Sequence, residues 1–246
     1  MKSHPKYKFI DYNLNYGRHI VERFFEDCPK SSIVVDLGAG QGDDLISAQK
    51  IITTPQLYAL ETFPPYITHL ENRGIKVFQC NLEHDKLPFD DESVDVIIMN
   101  QIMEHVKEVF WILHEVSRVL KVGGKFIVGV PNLAGFQNRL LLLVGRQPST
   151  INNSSAHVRG YTKQDFTDLL ETGFVSGYSL SSYAGSNFYP FAPMLARPLS
   201  RLFPNLSWAI FMKFIKEKPY EGNGYIKYPI EKGLETNFFL GNSQIL

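Results

Sequence analysis

Residues 33–42 constrain the fold of this chain more than any other segment. A β-branched run, Ile-Val-Val, is followed two residues later by glycines at positions 38, 40 and 42. β-Branched residues favour strands, and glycines permit backbone conformations and close approaches that a Cβ would block. The segment therefore predicts a buried strand, a tight turn against which a ligand can lie, and a helix over residues 45–51.

Strands and helices alternate along the rest of the chain. Apolar runs predict strands at residues 57–60, 75–78, 94–99 and 125–130, and later strands at 175–180 and 208–215. Helices are predicted at 66–71, 106–120 (ended by Gly123 and Gly124), 136–144, and from Thr162 to Gly173. This alternation indicates an α/β fold, a doubly wound, mostly parallel seven-stranded Rossmann-like sheet with helical insertions.

The 246 residues suffice for one α/β domain with additions, so residues 1–246 are predicted to form a single domain. Residues 1–30 are interpreted as an N-terminal helical segment, and residues 217–246 as a polar tail that wraps the domain. Two insertions, at 132–160 and 182–206, are expected on the substrate side of the sheet. Four prolines in the second insertion favour a surface position.

Composition counts against several kinds of partner. Lys and Arg number 25 and Asp and Glu number 25, so net charge gives no reason to expect nucleic acid binding. Neither Cys28 nor Cys80 has a second cysteine at metal-ligand spacing, and no metal site is predicted. The chain begins without the apolar stretch of a secretory signal, and no run is long enough to span a bilayer. A cytoplasmic protein is therefore expected.

The residue after the last glycine separates two classes of ligand. A dinucleotide fingerprint has the spacing G-x-G-x-x-G, whereas the third glycine here is residue 42 and residue 43 is Asp. A carboxylate at that point repels a pyrophosphate but suits a cationic ligand. An NAD(P)-dependent oxidoreductase is therefore the less favoured interpretation.

Residues 35–42, Val-Asp-Leu-Gly-Ala-Gly-Gln-Gly, resemble motif I of the class I S-adenosylmethionine (SAM)-dependent methyltransferases. Glu61 follows the second predicted strand, where that family has an acidic residue that holds the ribose hydroxyls of SAM. A carboxylate can accept both hydrogen bonds of a diol. The resemblance implies SAM as cofactor and S-adenosyl-L-homocysteine as its product, bound by Asp36, Gly38, Ala39, Gly40, Gly42, Glu61, Asn81, Leu82, Asn100 and Gln101. Asn81 departs from the Asp that is usual in the family, and it has an alternative role as a turn residue.

Three residues are candidates for a catalytic role: Glu104, His105 and His157. Glu104-His105-Val106 and residues 157–162 are similar to segments of the small-molecule methyltransferases. Both should approach the carboxyl ends of the strands, where open α/β sheets bind ligands. Methyl transfer from a sulfonium mainly needs alignment, but an oxygen or nitrogen acceptor also needs a base. In the alternative interpretation Glu104 caps a helix, His105 is structural and His157 is a surface loop residue.

The resemblance implies transfer of a methyl group to an O or N atom of a small-molecule, sugar or lipid-linked acceptor. The aromatic insertions are predicted to form a lid over that acceptor. Residues 187–215 are candidates for a peripheral membrane contact or a homodimer contact. The main alternative is a SAM-binding partner subunit without catalysis, because Asn81 departs from the family pattern.

Overall fold

The computed structural model of the protein describes residues 11–222 and 224–234. The strands are β1 Ile33–Leu37, β2 Gln56–Leu60, β3 Lys76–Phe78, β4 Val94–Asn100, β5 Leu120–Pro131, β6 Tyr178–Ser186 and β7 Ala209–Lys216. The helices are α1 Arg18–Phe24, α2 Asp43–Ile51, α3 Pro64–Glu71, α4 Val109–Val119, α5 Phe136–Leu143, α6 Lys163–Glu171, α7 Pro193–Leu202 and α8 Gly224–Glu231.

The seven strands form one sheet in the order β3-β2-β1-β4-β5-β7-β6. The pairs among β1 to β5 are parallel, and β7 lies antiparallel between β5 and β6. The predicted doubly wound, mostly parallel seven-stranded sheet is confirmed. The order reverses between β1 and β4, which is where open α/β sheets bind ligands beyond the carboxyl ends of the strands.

Each face of the sheet is covered by its own apolar cluster. Val96 and Ile98 of β4 belong to a cluster that includes side chains of α1, α2 and α3. Ile97 and Met99 belong to the opposite cluster, which includes side chains of α4, α6 and α8. Successive side chains of a strand point to opposite faces, so a continuous apolar run is what a strand covered on both sides requires.

Helix α4 is shorter than predicted at both ends. It begins at Val109, after a 3₁₀ turn over Met103–His105, and it ends at Val119. Leu120 is extended and pairs with Val94 in the sheet. The prediction that Gly123 and Gly124 end this helix was wrong, because sheet pairing begins first and both glycines lie within β5.

The boundaries of the second insertion also need correction. The sixth strand was predicted at 175–180, but β6 spans Tyr178–Ser186, so residues 182–186 belong to the sheet. Residues 181–186, Ser-Ser-Tyr-Ala-Gly-Ser, show no apolar alternation, and they form a strand by pairing with the buried β7. The rest of that insertion contains α7 and a 3₁₀ turn at Pro204–Leu206.

The terminal segments contain helices that pack on the domain. The N-terminal segment forms a 3₁₀ turn at Tyr12–Tyr16 and then α1. In the tail, Tyr225 of α8 lies against Trp111 and His114 of α4, with ring centroids 5.6 and 4.1 Å away. The predicted N-terminal segment and tail extend over residues 1–10, 223 and 235–246, which lie outside the described residues. Within the described part of the chain, the helices are too short or too polar to cross a bilayer.

Candidate cofactor and acceptor site

The glycine turn after β1 presents open backbone to the surface. Gly38 and Gly40 have φ of +76° and +55°, in the left-handed region. A Cβ at Gly38 would lie 2.3 Å from the side chain of Ile102, whereas a Cβ at Gly40 would meet no atom of the described residues within 4 Å. Ala39 N donates to the last carbonyl of β2 at 3.2 Å, and Gly42 is the N-cap of α2. The turn is thus fixed to the sheet while Gly40 borders space that a ligand can enter.

Glu61 faces this turn from the end of β2. Its Oε2 accepts a hydrogen bond from Gly40 N at 2.8 Å. Its Oε1 accepts from the backbone N–H groups of Thr62 at 2.8 Å and Phe63 at 2.9 Å. Three donors hold the carboxylate in one orientation beside the open glycine. The structure therefore brings together the two parts of the site that the sequence pattern paired.

Two carboxylates, those of Asp36 and Asp44, are buried next to this turn, with exposures of 3% and 8%. Burial raises the pKa of Asp44 to about 6. Burial, followed by the charges of Asp44 and Glu61, raises the pKa of Asp36 well above its usual range. Within the described part of the chain, the Oδ1 atom of Asp44 is buried without a hydrogen-bond partner. Such a group of carboxylates favours a cationic ligand over a phosphate.

The N-terminal segment closes the same edge. Asn100, at the end of β4, donates through Nδ2 to Tyr16 O at 2.9 Å and to Asp44 Oδ2 at 2.8 Å. Arg18, at the start of α1, forms an ion pair with Asp43 at 2.7 Å. Arg18 Nε and Asn100 Oδ1 are buried without partners among the described residues, as is Asp44 Oδ1. Buried polar atoms usually have partners, so three such atoms around the start of α2 fit a pocket that a polar ligand completes.

The other predicted cofactor residues mainly have local contacts. Asn81 is exposed, and its Oδ1 accepts from the N–H two residues further on at 3.0 Å, which supports a turn role. Leu82 packs partly buried against the core. Gln101 has a φ of +59°, and its Nε2 is buried without a partner.

Two distant segments place Glu104, His105 and His157 next to one another. Val158 N donates to Glu104 O at 2.8 Å, which ties the two segments together. The rings of His105 and His157 meet edge to face, with centroids 4.8 Å apart. Nδ1 of His105 lies 3.2 Å from the carbonyl of Ala156, and Nδ1 of His157 lies 2.7 Å from another backbone carbonyl. A carbonyl can only accept, so each Nδ1 carries a proton, and in the neutral imidazole Nε2 then keeps its lone pair.

Glu104 is the buried member of this cluster, with an exposure of 2%. Its Oε1 lies 4.0 Å from His105 Nε2, and its Oε2 is buried with no partner in residues 11–222 and 224–234. Burial raises the pKa of Glu104 to about 8 and lowers that of His105. Glu104 lies in the 3₁₀ turn that precedes α4, whose N-cap is Glu108, so it does not cap that helix as the alternative interpretation held.

Asp44 is the residue of this site that sequence reasoning missed. It lies in the first turn of α2, where an acidic residue is favoured by the helix dipole and needs no further explanation. The available signal was its position within an acidic pair, Asp43-Asp44, directly after the last glycine. Its contact with Asn100 depends on the pairing of β1 with β4, which sequence spacing does not reveal.

Replacing Asp44 with asparagine is expected to stabilise the protein above pH 6 but not below pH 4. Folding raises the pKa of Asp44 from 3.8 to about 6, so the ionised carboxylate disfavours the folded state. This free-energy cost is fully present above pH 6, is absent below pH 4, and is roughly 3 kcal/mol at most. Asparagine stays neutral and can still accept from Asn100. Urea unfolding at pH 4 and pH 8 measures the difference. Asp90→Asn, at an exposed position, serves as the control. An equal effect of Asp44→Asn at both pH values would contradict the assignment.

The fold and this edge of the sheet resemble those of class I SAM-dependent methyltransferase domains. Residues 35–128 match the family model described as a methyltransferase domain. The matched range runs from β1 into β5 and contains the glycine turn, Glu61 and the Glu104-His105 pair. SAM is the methyl donor of the family.

Curated proteins also show similarity to this chain. A probable SAM-dependent methyltransferase of Mycobacterium tuberculosis is 30% identical over 169 residues, which cover 66% of this chain and 56% of that relative. The chain therefore spans little more than half the length of this relative.

Solved structures share the fold. A SAM-dependent methyltransferase of Thermotoga maritima, described as a possible histamine N-methyltransferase, has a TM-score of 0.58 at 18% identity, covering 83% of this chain and 92% of that one. Geranyl diphosphate C-methyltransferase of Streptomyces coelicolor, in complex with Mg²⁺, geranyl diphosphate and S-adenosyl-L-homocysteine, has a TM-score of 0.54 at 12% identity, covering 81% and 79%.

Proposed function

We propose that this protein is an active methyltransferase that transfers the methyl group of SAM to an oxygen or nitrogen atom of a small, lipid-linked acceptor. The observation that carries the proposal is the carboxylate of Glu61, fixed by three backbone N–H groups beside the open Gly40. An acidic residue held in this way can accept hydrogen bonds from the ribose hydroxyls.

The remaining groups at this edge fit the charged parts of SAM. Asp36 and Asp44 are suited to its cationic ammonium and sulfonium groups, and Arg18 is suited to its carboxylate. Asn81 and Leu82 are assigned to the adenine end by the family resemblance alone. Bound SAM supplies a methyl group that is already activated by the positive sulfur, so the protein has mainly to orient the acceptor.

Glu104, His105 and His157 are assigned to the acceptor side. Both histidines present an Nε2 lone pair, which can take the proton that an O–H or N–H acceptor loses. The insertions at 132–160 and 187–206, the second without the residues that belong to β6, are proposed to form a lid over this side. Aromatic rings link them, with Phe136 of α5 lying 5.6 Å from Phe188 and 6.3 Å from Phe191 between centroids.

Alanine at His105 or His157 is expected to reduce turnover by at least about 100-fold while the affinity for SAM stays within about twofold, since the hydrogen bonds and ring contact of both side chains are made outside the glycine turn. Titration calorimetry with SAM and S-adenosyl-L-homocysteine tests binding, and a panel of polar lipids tests turnover. His69→Ala, on α3, is the control.

Each outcome of this experiment is decisive. A heat of binding with NADH, and none with SAM, would favour the alternative that the protein is an NAD(P)-dependent oxidoreductase. SAM binding without turnover on any acceptor would favour a partner subunit. Unchanged turnover in both histidine variants would remove the histidines from the mechanism.

The lipid-linked character of the acceptor is supported by the two insertions. Residues 132–160 and 182–206 contain arginines but no Asp or Glu, although the whole chain is neutral. In α7, Ala196 and Ser200 are buried, whereas Met194 and Leu202 are 83% and 71% exposed. Leu143, at the end of α5, is 82% exposed. Exposed apolar side chains beside arginines are typical of helices that lie on anionic membranes.

We expect the protein to sediment with phosphatidylglycerol-containing vesicles and not with pure phosphatidylcholine vesicles. The double variant Leu143→Glu, Met194→Glu should lose at least about tenfold in vesicle affinity, because it removes apolar burial and adds repulsive charge. Ile230→Glu, at an exposed position on α8, is the matched control. A dimer in light scattering that the double variant dissociates, with no vesicle binding, would assign residues 187–215 to a homodimer instead.

A further inference from the structure

The cluster of Glu104, His105 and His157 has the donor arrangement of a metal site. Each imidazole is oriented by a hydrogen bond from Nδ1 to a backbone carbonyl, which leaves Nε2 free. Outer hydrogen bonds of this kind fix the tautomer and orientation of histidines that bind metal ions. The chain thus presents two preoriented nitrogen donors with adjacent rings.

The third donor is an independent observation. Glu104 is 98% buried, and its Oε2 has no hydrogen-bond partner among the described residues. Leaving a carboxylate oxygen buried and unsatisfied is costly, so such an atom indicates a missing partner. One donor atom from each of the three residues lies within 4.8 Å of the other two.

We propose that Glu104, His105 and His157 bind one divalent transition-metal ion, such as Zn²⁺ or Mn²⁺. Two imidazole nitrogens and one carboxylate suit these ions, whereas Mg²⁺ and Ca²⁺ prefer oxygen ligands throughout. Donor atoms around a tetrahedral zinc ion lie about 3.4 Å apart, so donors that lie within 4.8 Å of one another need to approach by up to about 1.4 Å. His105, whose side chain is 44% exposed, has room to make this movement.

Three protein ligands leave a coordination position open, which is typical of catalytic rather than structural metal sites. The use of that position for methyl transfer rests on the proposed function. A hydroxyl of the acceptor that binds there loses its proton to solvent more readily, because the ion lowers its pKa. The resulting oxygen forms the bond to the methyl carbon, the carbon–sulfur bond breaks, and its electron pair stays on sulfur. With the ion bound, the Nε2 lone pairs are ligands and no longer accept the proton.

Cobalt titration of the untagged full chain, first treated with EDTA, tests the site directly. We expect one equivalent of Co²⁺ to bind with visible absorption bands, and Zn²⁺ but not Mg²⁺ to displace it. Glu104→Gln, His105→Ala and His157→Ala should each weaken binding by at least about 100-fold, since each removes a direct ligand. His69→Ala, which removes an imidazole from α3, should bind Co²⁺ like the wild type.

Calorimetry with SAM on the same samples separates the two proposals. Variants that bind SAM normally but have lost Co²⁺ support the metal site and show that the fold is intact. Wild-type protein that binds SAM but no Co²⁺, or cluster variants that keep full Co²⁺ affinity, would overturn the metal site alone. Protein that binds Co²⁺ through these residues but neither SAM nor its product would leave the metal site standing and overturn the proposed function.

Discussion

Replacing Glu61 with alanine is expected to weaken SAM binding by at least about 100-fold. The carboxylate is held by the N–H groups of Gly40, Thr62 and Phe63, so it can receive the ribose hydroxyls without first being ordered. Two hydrogen bonds to a charged group contribute about 3 kcal/mol together, which corresponds to that factor. Titration calorimetry with SAM and with S-adenosyl-L-homocysteine measures the loss, and both ligands should be affected equally because they share the ribose.

Glu71→Ala provides the control for this substitution. Glu71 is an exposed acidic residue at the end of α3, so its removal changes the net charge by the same amount outside the turn. SAM affinity within about twofold of the wild type is expected for this variant, because surface charges act weakly at a distance. If Glu61→Ala binds SAM as well as Glu71→Ala does, the glycine turn and β2 do not form the ribose site.

Leucine in place of Gly40 is expected to abolish measurable SAM binding while the protein stays folded. A Cβ at this position meets no atom within 4 Å, so the side chain enters the space assigned to the ligand and does not collide with the core. The left-handed backbone, with φ of +55°, costs about 1 kcal/mol of stability for a residue other than glycine. Thermal unfolding and calorimetry, measured on the same preparation, distinguish the two effects.

Gly74→Leu is the matched control for the backbone cost. Gly74 also has a left-handed conformation, with φ of +73°, and open space around its Cβ position, but it lies after α3. Both variants should lose a similar amount of thermal stability, and only Gly40→Leu should lose SAM. Equal loss of binding in the two variants would mean that strain acts at a distance, and the space above Gly40 would then not be the ligand pocket.

The sheet could be predicted from sequence because its central strands are buried on both faces. A continuous apolar run such as Val96–Met99 predicts a strand that packs between two helical layers. Boundaries that depend on pairing could not be predicted. Leu120 leaves the helix because it pairs with Val94, and the polar residues 181–186 form a strand because β7 lies beside them.

The candidate site could be predicted where one local motif determines it. The family resemblance paired the glycine turn with Glu61, and the two lie together because each follows one of two neighbouring parallel strands. Asp44 was missed because an acidic residue at a helix start has an ordinary explanation. The cluster of Glu104, His105 and His157 was not recognised as a set of metal ligands, because its members come from segments that only the folded chain brings together.

Because both insertions lack acidic residues, charge is unevenly distributed over the protein although its net charge is zero. The carboxylates lie elsewhere, including the turn assigned to a cationic cofactor, whereas the arginines of α5 and α7 lie in the segments proposed as the lid. Within about 10 Å of an anionic bilayer at physiological salt, such a charge distribution orients the protein even though its net charge is zero. The arginine-containing segments would then face the anionic headgroups.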